Sequence, residues 1–110
     1  MPLRPVLFMA VTLMTPIITQ AGGYSTANLL PHCREKDSFC AGYLVAMVDA
    51  EDEIAVGDGS ATKRFCVPKG VDVDQLSTLF VKYAGAHPDK EFAPAARIAR
   101  LSLSDRYPCR

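Results

Sequence analysis

The sequence predicts an all-α domain, a small bundle of about four helices stapled by two disulfides. Apolar residues recur at spacings of three and four in several segments, which is the period of a helix with one buried face. No alternating run of β-branched residues exceeds a few positions. The 110-residue chain also contains four cysteines, an even number. These observations favour one small helical domain, which we place at residues 22–110.

Residues 1–21 have the composition of a secretory signal peptide. Arg4 precedes an apolar run from Val6 to Met14, and a small residue, Ala21, follows at the expected cleavage point. The run is far shorter than the roughly 20 residues needed to cross a bilayer, so no membrane association is expected. No cysteine follows the run directly, as a lipid anchor would require. We therefore expect a soluble secreted or periplasmic protein.

The charge balance argues against nucleic acid as a partner. The whole chain has 12 basic and 12 acidic side chains, and cleavage after Ala21 removes only Arg4. The mature chain then has a net charge near −1, with 11 basic and 12 acidic side chains. A protein that binds a phosphate backbone needs clustered lysines and arginines to supply most of its affinity.

The first two predicted helices lie between Ser25 and Ala50. Ser25 offers a cap for a helix that reaches toward Cys33, and Pro31 predicts that this helix is short or bent. Ser38 offers a cap for a second helix over 39–50. The predicted buried face of this second helix comprises Phe39, Cys40, Tyr43, Leu44, Met47 and Ala50.

The segment from Glu51 to Phe65 is predicted to be an exposed loop, because acids, glycines, Ser60 and Thr62 replace the apolar period.

The third helix has the clearest sequence signals of the four. Asp72 and Gln75 form a reciprocal capping pair, and the helix should end near Gly85 to His87. Its predicted buried stripe is Val73, Leu76, Leu79, Phe80, Tyr83 and Ala84.

A fourth helix is predicted from Pro94 to about Ser104, because proline is favoured at a first helical position. Its inward residues are expected to be Ala95, Ile98, Leu101 and Ser102. The segment Tyr107-Pro108-Cys109 then closes the chain. A cysteine at this position is typical of a disulfide cross-link.

The sequence alone leaves three disulfide pairings open for Cys33, Cys40, Cys66 and Cys109. If the third and fourth helices run antiparallel, Cys66 and Cys109 lie at the same end of the bundle. That arrangement favours the pair Cys66 and Cys109, and leaves Cys33 with Cys40. Cross-links matter here because a domain of roughly 90 residues buries only a little over 60% of its unfolded surface.

Residue patterns for catalysis or cofactor binding are weak in this sequence. There is no Cys-x-x-Cys pair, and neither His32 nor His87 has zinc-finger spacing to another ligand, so neither a metal nor another cofactor is expected. A cysteine with His87 as nucleophile and base is improbable in an exported chain with an even cysteine count. His87, which precedes Pro88, is more simply a residue that bonds the last carbonyls of a helix. The residue patterns therefore favour a binding protein, not an enzyme.

The order of several motifs resembles the Rap/Tai immunity family of type VI secretion systems. In the first half these are Asn28-Leu29-Leu30 with Cys33, and Phe39-Cys40-Ala41-Gly42-Tyr43-Leu44 with Asp49. In the second half they are Phe65-Cys66-Val67-Pro68, Gln75-Leu76, Lys82-Tyr83 with His87-Pro88, and Tyr107-Pro108-Cys109. Each motif alone is weak, but their order and spacing over nearly the whole mature chain are fairly specific. The motif positions singled out are Gly42, Tyr43, Pro68, Gln75, Leu76, Tyr83, His87, Pro88 and Pro108.

The resemblance implies a periplasmic, disulfide-bonded, all-α protein, usually a homodimer. Such a protein binds a cell-wall amidase effector and blocks its active-site groove with a helix and a protruding loop. The expected binding segment here is the loop from Glu51 to Thr62. It places apolar anchors within an acidic rim. The candidate contact residues are Glu51, Asp52, Glu53, Ile54, Val56 and Asp58.

The sequence is also compatible with two other interpretations. The acidic segment from Glu51 to Thr62 is equally compatible with a solubilising loop. A periplasmic folding or stress chaperone of the small disulfide-bonded helical type is the alternative function. Broad, pH-dependent holding of unfolded proteins would favour the chaperone.

Departures from the family pattern fall at Pro31, Ala46 and Ser102, where they affect helix packing and the dimer contact.

Overall fold

Four α-helices form the domain in a computed structural model that describes residues 2–3, 23–58 and 63–110, with no side-chain description for residues 55–58. The helices are α1 (Thr26–Arg34), α2 (Ser38–Asp58), α3 (Val73–Ala86) and α4 (Ala95–Arg106), and a short 3₁₀ helix (Pro88–Lys90) lies between the last two. The described residues contain no strand, only an isolated bridge between Ser25 and Pro94. The predicted all-α fold is thus confirmed, whereas the predicted signal peptide at residues 1–21 lies almost wholly outside the described residues.

Helix α3 is the centre of the bundle, because its contacts with the other three helices are more extensive than those of any other helix. Phe80 is completely buried in it. The other fully buried large side chains around Phe80 come from the remaining helices and are Leu29, Leu44, Ile98 and Leu103. Full burial of one such side chain contributes about 1.5–3 kcal/mol, so this small cluster dominates the packing of the domain.

Helix α3 begins and ends where the sequence predicts. The Asp72 side chain accepts a hydrogen bond from the backbone N–H of Asp74, and the Gln75 side chain accepts one from the backbone N–H of Asp72. This capping box satisfies N–H groups that have no partner inside the helix. Of the predicted stripe, three residues are fully buried and three are half-buried; the fully buried ones are Leu76, Phe80 and Ala84.

Helix α1 continues past Pro31, which the sequence predicts to shorten or bend it. Pro31 lies on the exposed side, so the carbonyl oxygen that loses its hydrogen-bond donor faces the solvent side of the helix. Both ends of α1 are fixed. The Ser25 hydroxyl accepts a hydrogen bond from the N–H of Asn28, and the Cys33–Cys40 disulfide holds the other end against α2. Tertiary anchoring therefore outweighs the proline.

The predicted start of α2 is wrong by one residue, and the predicted capping residue is also wrong. The helix begins at Ser38, and the Asp37 carboxylate accepts the N–H of Cys40, the bond expected from Ser38. Asp37 also accepts a hydrogen bond from the His32 ring at 2.5 Å. Both interactions lower the pKa of the Asp37 carboxyl, the bond from Cys40 having the larger effect.

The predicted buried face of α2 is partly wrong at its edges. Cys40 and Leu44 are fully buried and Tyr43 and Met47 are half-buried, whereas Phe39 is 48% exposed and Ala50 is exposed. Phe39 instead lies in a surface cluster with the rings of Tyr24, His32 and Tyr43, at centroid distances of 4.7–6.5 Å. The periodicity identifies the buried side of the helix, but not where the neighbouring helices end.

The predicted loop from Glu51 to Phe65 is the main correction. Helix α2 continues through Asp58, so most of this segment is helical. The Glu51 carboxylate accepts the backbone N–H of Arg64 at 2.5 Å, and Lys63 donates to Asp52 at 2.9 Å. Phe65, placed at the loop's end, is 3% exposed and belongs to the core. The returning chain thus supports a helix that composition alone does not indicate.

Helix α4 begins at Ala95, one residue after Pro94, and extends to Arg106. Three of the predicted inward residues, Ala95, Ile98 and Ser102, are buried, and Leu101 is half-buried. Ala99 and Leu103 are also buried, which the prediction omits. The buried face is therefore wider than a narrow stripe, because α4 packs against both α1 and α3.

The structure contains the two favoured disulfides, Cys33–Cys40 and Cys66–Cys109. The Cα atoms of Cys66 and Cys109 lie 5.0 Å apart, and the N–H of Cys66 donates to the carbonyl of Tyr107 at 2.8 Å. The second disulfide closes a loop with a sequence separation of 43, against 7 for the first. It therefore removes more conformational freedom from the unfolded chain.

Replacing both Cys66 and Cys109 by serine should lower the free energy of unfolding by about 4 kcal/mol, because the long loop is no longer closed in the unfolded chain. The matched double variant of Cys33 and Cys40 should lose about 2.5 kcal/mol. Chemical denaturation of the oxidised proteins measures both values. A larger loss in the Cys33 and Cys40 variant would contradict the ranking by loop length.

The Asp37 carboxylate should make stability fall in acid. Its folded pKa is lowered from the ordinary value of 3.8, so its contribution is present above about that pH and is lost as the pH falls through the folded pKa. Asp37→Asn retains an acceptor for the Cys40 N–H but removes the charge, so its melting temperature should depend less on pH in this range. Asp89→Asn, at an exposed carboxylate, is the control. Identical acid profiles of Asp37→Asn and the wild type would contradict this role.

Candidate protein-binding site

The expected binding residues lie on the second half of α2 instead of on a loop. Glu51 and Asp52 are held by Arg64 and Lys63, respectively. Glu53 is exposed, and Ile54 is 54% exposed. The side chains of Val56 and Asp58 lie outside the described part of the chain, as do residues 59–62. A helix end, supported by the returning chain, thus replaces the first part of the expected exposed loop.

A surface groove runs beside this helix end, between α2 and α4. We call it the α2–α4 groove. Its volume is about 350 Å³, and its lining residues are Met47, Ala50, Glu51, Arg64, Phe65, Pro94, Ala96, Arg97 and Arg100. Ile54 follows Ala50 and Glu51 by four and three residues, which places it on the same side of α2 as the groove. The exposed Ile54 and the groove therefore form one continuous surface.

The groove combines an apolar floor with basic walls. Met47 and Phe65 supply apolar surface, and Arg64, Arg97 and Arg100 supply three guanidinium groups. Glu51 is the only acid among the lining residues, and its carboxylate is already engaged by the Arg64 backbone N–H. Within the described ranges, the ion pairs are His32 with Asp37 and Lys63 with Asp52, and neither involves these arginines.

The aromatic cluster lies next to the groove, near the N-terminus of α4. Burial and the neighbouring Tyr24 raise the pKa of the Tyr43 hydroxyl, and hydrogen bonding from the Ala96 backbone partly offsets this. The N–H of Ala95 donates to the Tyr24 carbonyl at 2.8 Å. Pro94 gives α4 no side-chain cap, so these contacts serve the first N–H groups of the helix instead.

Several motif positions have identifiable structural roles. Gln75 completes the capping box of α3, and Leu76 is buried in the core. The His87 ring bonds the Tyr83 carbonyl at 2.8 Å and stacks on the Tyr83 ring at 4.2 Å. Pro88 opens the 3₁₀ helix that follows. These residues fix how α3 ends and where the chain turns toward α4.

The remaining motif positions, Gly42, Pro68 and Pro108, are exposed. An added Cβ at Gly42 would meet no atom within 4 Å, so its own domain does not require a glycine there. Gly42 shares this exposed side of α2 with Val45 and Ala46. This surface faces away from the α2–α4 groove by helical spacing.

A feature that the sequence interpretation missed is Phe92, whose side chain is 82% exposed. Its loop is rigidly held, because the N–H groups of Thr26 and Ala27 donate to the carbonyls of Ala93 and Glu91 at 2.9 and 2.8 Å. The signal available in the sequence is a large aromatic residue between a charged stretch and Pro94, outside any helical stripe. An exposed aromatic on a fixed loop is a common anchor in protein interfaces.

The described residues show little that is suited to catalysis. All four cysteines are in disulfides, so no free thiol is available as a nucleophile. Over residues 23–58 and 63–110, no three side chains of the His, Cys, Asp and Glu types are grouped to hold a metal ion. No helix in the described part of the chain is long and apolar enough to span a membrane.

The fold and the surface together define a small disulfide-stapled helical domain with features of a protein-binding module. The sequence pattern of the Rap1a immunity proteins matches residues 25–109, which covers all four helices and all four cysteines. The chain therefore belongs to the Rap1a immunity protein family. Membership of this family implies an immunity role exerted by binding a cognate effector protein. No curated protein and no solved structure matches the chain.

His87→Ala should lower the free energy of unfolding by about 1 kcal/mol, because the Tyr83 carbonyl loses its side-chain partner. Inhibition of the effector should remain unchanged, since His87 lies at the end of α3 and is not among the residues that line the groove. Denaturation curves and an inhibition titration measure the two effects. Loss of inhibition at unchanged stability would instead assign His87 to the binding surface.

Proposed function

We propose that this protein is a periplasmic immunity protein that binds and inhibits a peptidoglycan amidase delivered by a type VI secretion system. The observation that supports it most directly is the family match over residues 25–109. The amidase and the secretion system come from the motif resemblance to the Rap/Tai family. The proposed periplasmic location depends on the signal-peptide composition of residues 1–21.

The proposed contact surface is the end of α2 with the adjoining groove. Ile54 provides an apolar side chain that is half-exposed on a supported helix, so little conformational entropy is lost when a partner buries it. Glu51, Asp52 and Glu53 surround it with carboxylates, two of which are already held by Lys63 and Arg64. Val56 and Asp58 belong to the same proposed contact segment. An apolar centre within a charged rim is the usual arrangement of a protein interface.

We propose inhibition by occlusion, without catalysis by this chain. The end of α2 would enter the amidase groove and keep peptidoglycan out. Such a mechanism requires a rigid projecting element and tight binding, not reactive groups on the inhibitor. The disulfide-bonded cysteines and the tethered helix end are in keeping with it.

A homodimer is part of the proposal, as the family resemblance implies. The exposed surface around Gly42, Val45 and Ala46 is a suitable contact between two copies, because small residues let helix backbones approach closely. It faces away from Ile54 by helical spacing, so a dimer formed there leaves both α2–α4 grooves accessible. Light scattering of the mature protein, alone and with effector, gives the copy number in each state.

Ile54→Ala should weaken inhibition of the amidase by about tenfold or more, because an interface anchor of this type contributes 1.4 kcal/mol or more when truncated. Val81→Ala truncates an aliphatic side chain on α3, which lies in neither the α2–α4 groove nor the proposed dimer contact, and should have no effect on inhibition. The oxidised mature protein is titrated into the candidate peptidoglycan amidase, while peptidoglycan cleavage is followed.

The titration separates the proposal from its alternative. Stoichiometric inhibition by the wild type, weakened by Ile54→Ala alone, is the expected result. If Val81→Ala weakens inhibition equally, the contact surface has been misplaced. If the wild type does not bind the amidase but instead holds unfolded proteins of many kinds, the proposed immunity function fails and the chaperone takes its place.

A further inference from the structure

Three arginines in one concave site are the most unusual feature of the surface. Arg64 approaches from the returning chain, while Arg97 and Arg100 project from α4, and all three line the α2–α4 groove. Since the mature chain has slightly more acids than bases, this local excess of positive charge does not follow from the composition. With Glu51 counted against the three guanidiniums, the groove lining has a net charge of about +2.

No ion pair or side-chain hydrogen bond within the described residues explains the position of these arginines. The ion pairs within residues 23–58 and 63–110 leave them out, and their side chains donate no hydrogen bond to the described chain. Arg64 contacts Glu51 only through its backbone N–H. Each guanidinium therefore retains donors for a ligand. Unpaired like charges held close together are costly, and a bound anion would relieve that cost.

The groove also strengthens any charged interaction made within it. Met47 and Phe65 form the apolar floor, and a surface of low dielectric focuses the field of nearby charges. The planar guanidinium matches a carboxylate with two parallel hydrogen bonds, a geometry that lysine cannot reproduce. The α4 N-terminus adjoins the groove, but its Ala95 N–H is already bonded to Tyr24. The arginine side chains, not the helix amides, are thus the available donors.

The surroundings select a short acidic ligand over a long polyanion. The mature chain carries 11 basic against 12 acidic side chains, which is a poor overall complement to a continuous chain of phosphates. A volume of about 350 Å³ accommodates one or two side chains, not an extended polymer. Carboxylate side chains on a peptide segment satisfy both limits.

We propose that the α2–α4 groove binds an acidic segment of the effector protein. Arg97 and Arg100 donate hydrogen bonds to its carboxylates, and Arg64 completes the set of donors. This inference rests on the proposed function, since the effector is the partner that supplies the segment. It adds a second element of recognition to the apolar contact at Ile54. Ile54 provides affinity by burial, and the arginines select an effector with acids at the matching position.

The direct test uses hexaglutamate as the probe and the full oxidised mature protein. Heteronuclear NMR should show shifts of the Arg97 and Arg100 side-chain N–H signals on addition of the peptide, and the affinity should fall with added salt. The double variant Arg97→Gln, Arg100→Gln should bind about tenfold more weakly or worse, because it loses charge-assisted hydrogen bonds. Replacing both by lysine retains the charge and should recover only part of the affinity.

Arg34→Gln is the matched control, because Arg34 is an exposed arginine at the end of α1 that does not line the groove. Its variant should bind hexaglutamate as the wild type does. Equal weakening in Arg34→Gln and in the double glutamine variant would overturn the inference, since the peptide would then be sensing only net charge. Failure of the wild type to bind the peptide would also overturn it. Tighter binding of a peptidoglycan stem peptide at the same arginines would replace the effector segment by a cell-wall ligand.

Amidase inhibition separates failure of this inference from failure of the proposed function. If the double glutamine variant inhibits the amidase as well as the wild type while Ile54→Ala does not, immunity stands and the arginine contact is wrong. If the wild type binds hexaglutamate through the groove but does not inhibit the amidase, the groove stands as an acidic-peptide site and the proposed immunity function fails. Weaker inhibition by the glutamine variant, with Arg34→Gln unaffected, supports both.

Discussion

The Cys66–Cys109 disulfide is the constraint on which the rest of the structure depends. It holds the chain that returns from α2 against the end of α4, and the N–H of Cys66 bonds the Tyr107 carbonyl alongside it. This places Phe65 in the core and Arg64 against the Glu51 carboxylate. One cross-link therefore fixes the end of α2, a wall of the α2–α4 groove and the packing of the last helix.

The binding surface depends on rigidity that the domain obtains by several local means. The short disulfide and the Asp37 carboxylate fix the junction between α1 and α2, and the capping box and His87 fix the two ends of α3. A domain of this size has little core to rely on, so each such contact is a sizeable share of its stability. An inhibitor that acts by occlusion benefits because a preorganised surface loses little entropy on binding.

The residues that identify the family and those proposed to recognise the partner are largely different sets. Gln75, Leu76, Tyr83 and His87 stabilise α3 and its exit, whereas Ile54, Arg97 and Arg100 face the solvent or line the groove. This separation is physically reasonable. A family can keep one scaffold while the exposed residues change to match different effectors.

The helical class and the capping of α3 follow from the sequence, because each is encoded by local spacing or by residue chemistry. For the disulfides the sequence only favours the observed pairing, because that pairing depends on α3 and α4 running antiparallel. It did not determine the end of α2: Glu51 to Asp58 are helical since Lys63 and Arg64 fold back onto that helix. It likewise could not reveal the groove, whose arginines come from segments more than thirty residues apart in the sequence. Only the tertiary structure joins them, because Cys66–Cys109 brings the returning chain beside α4.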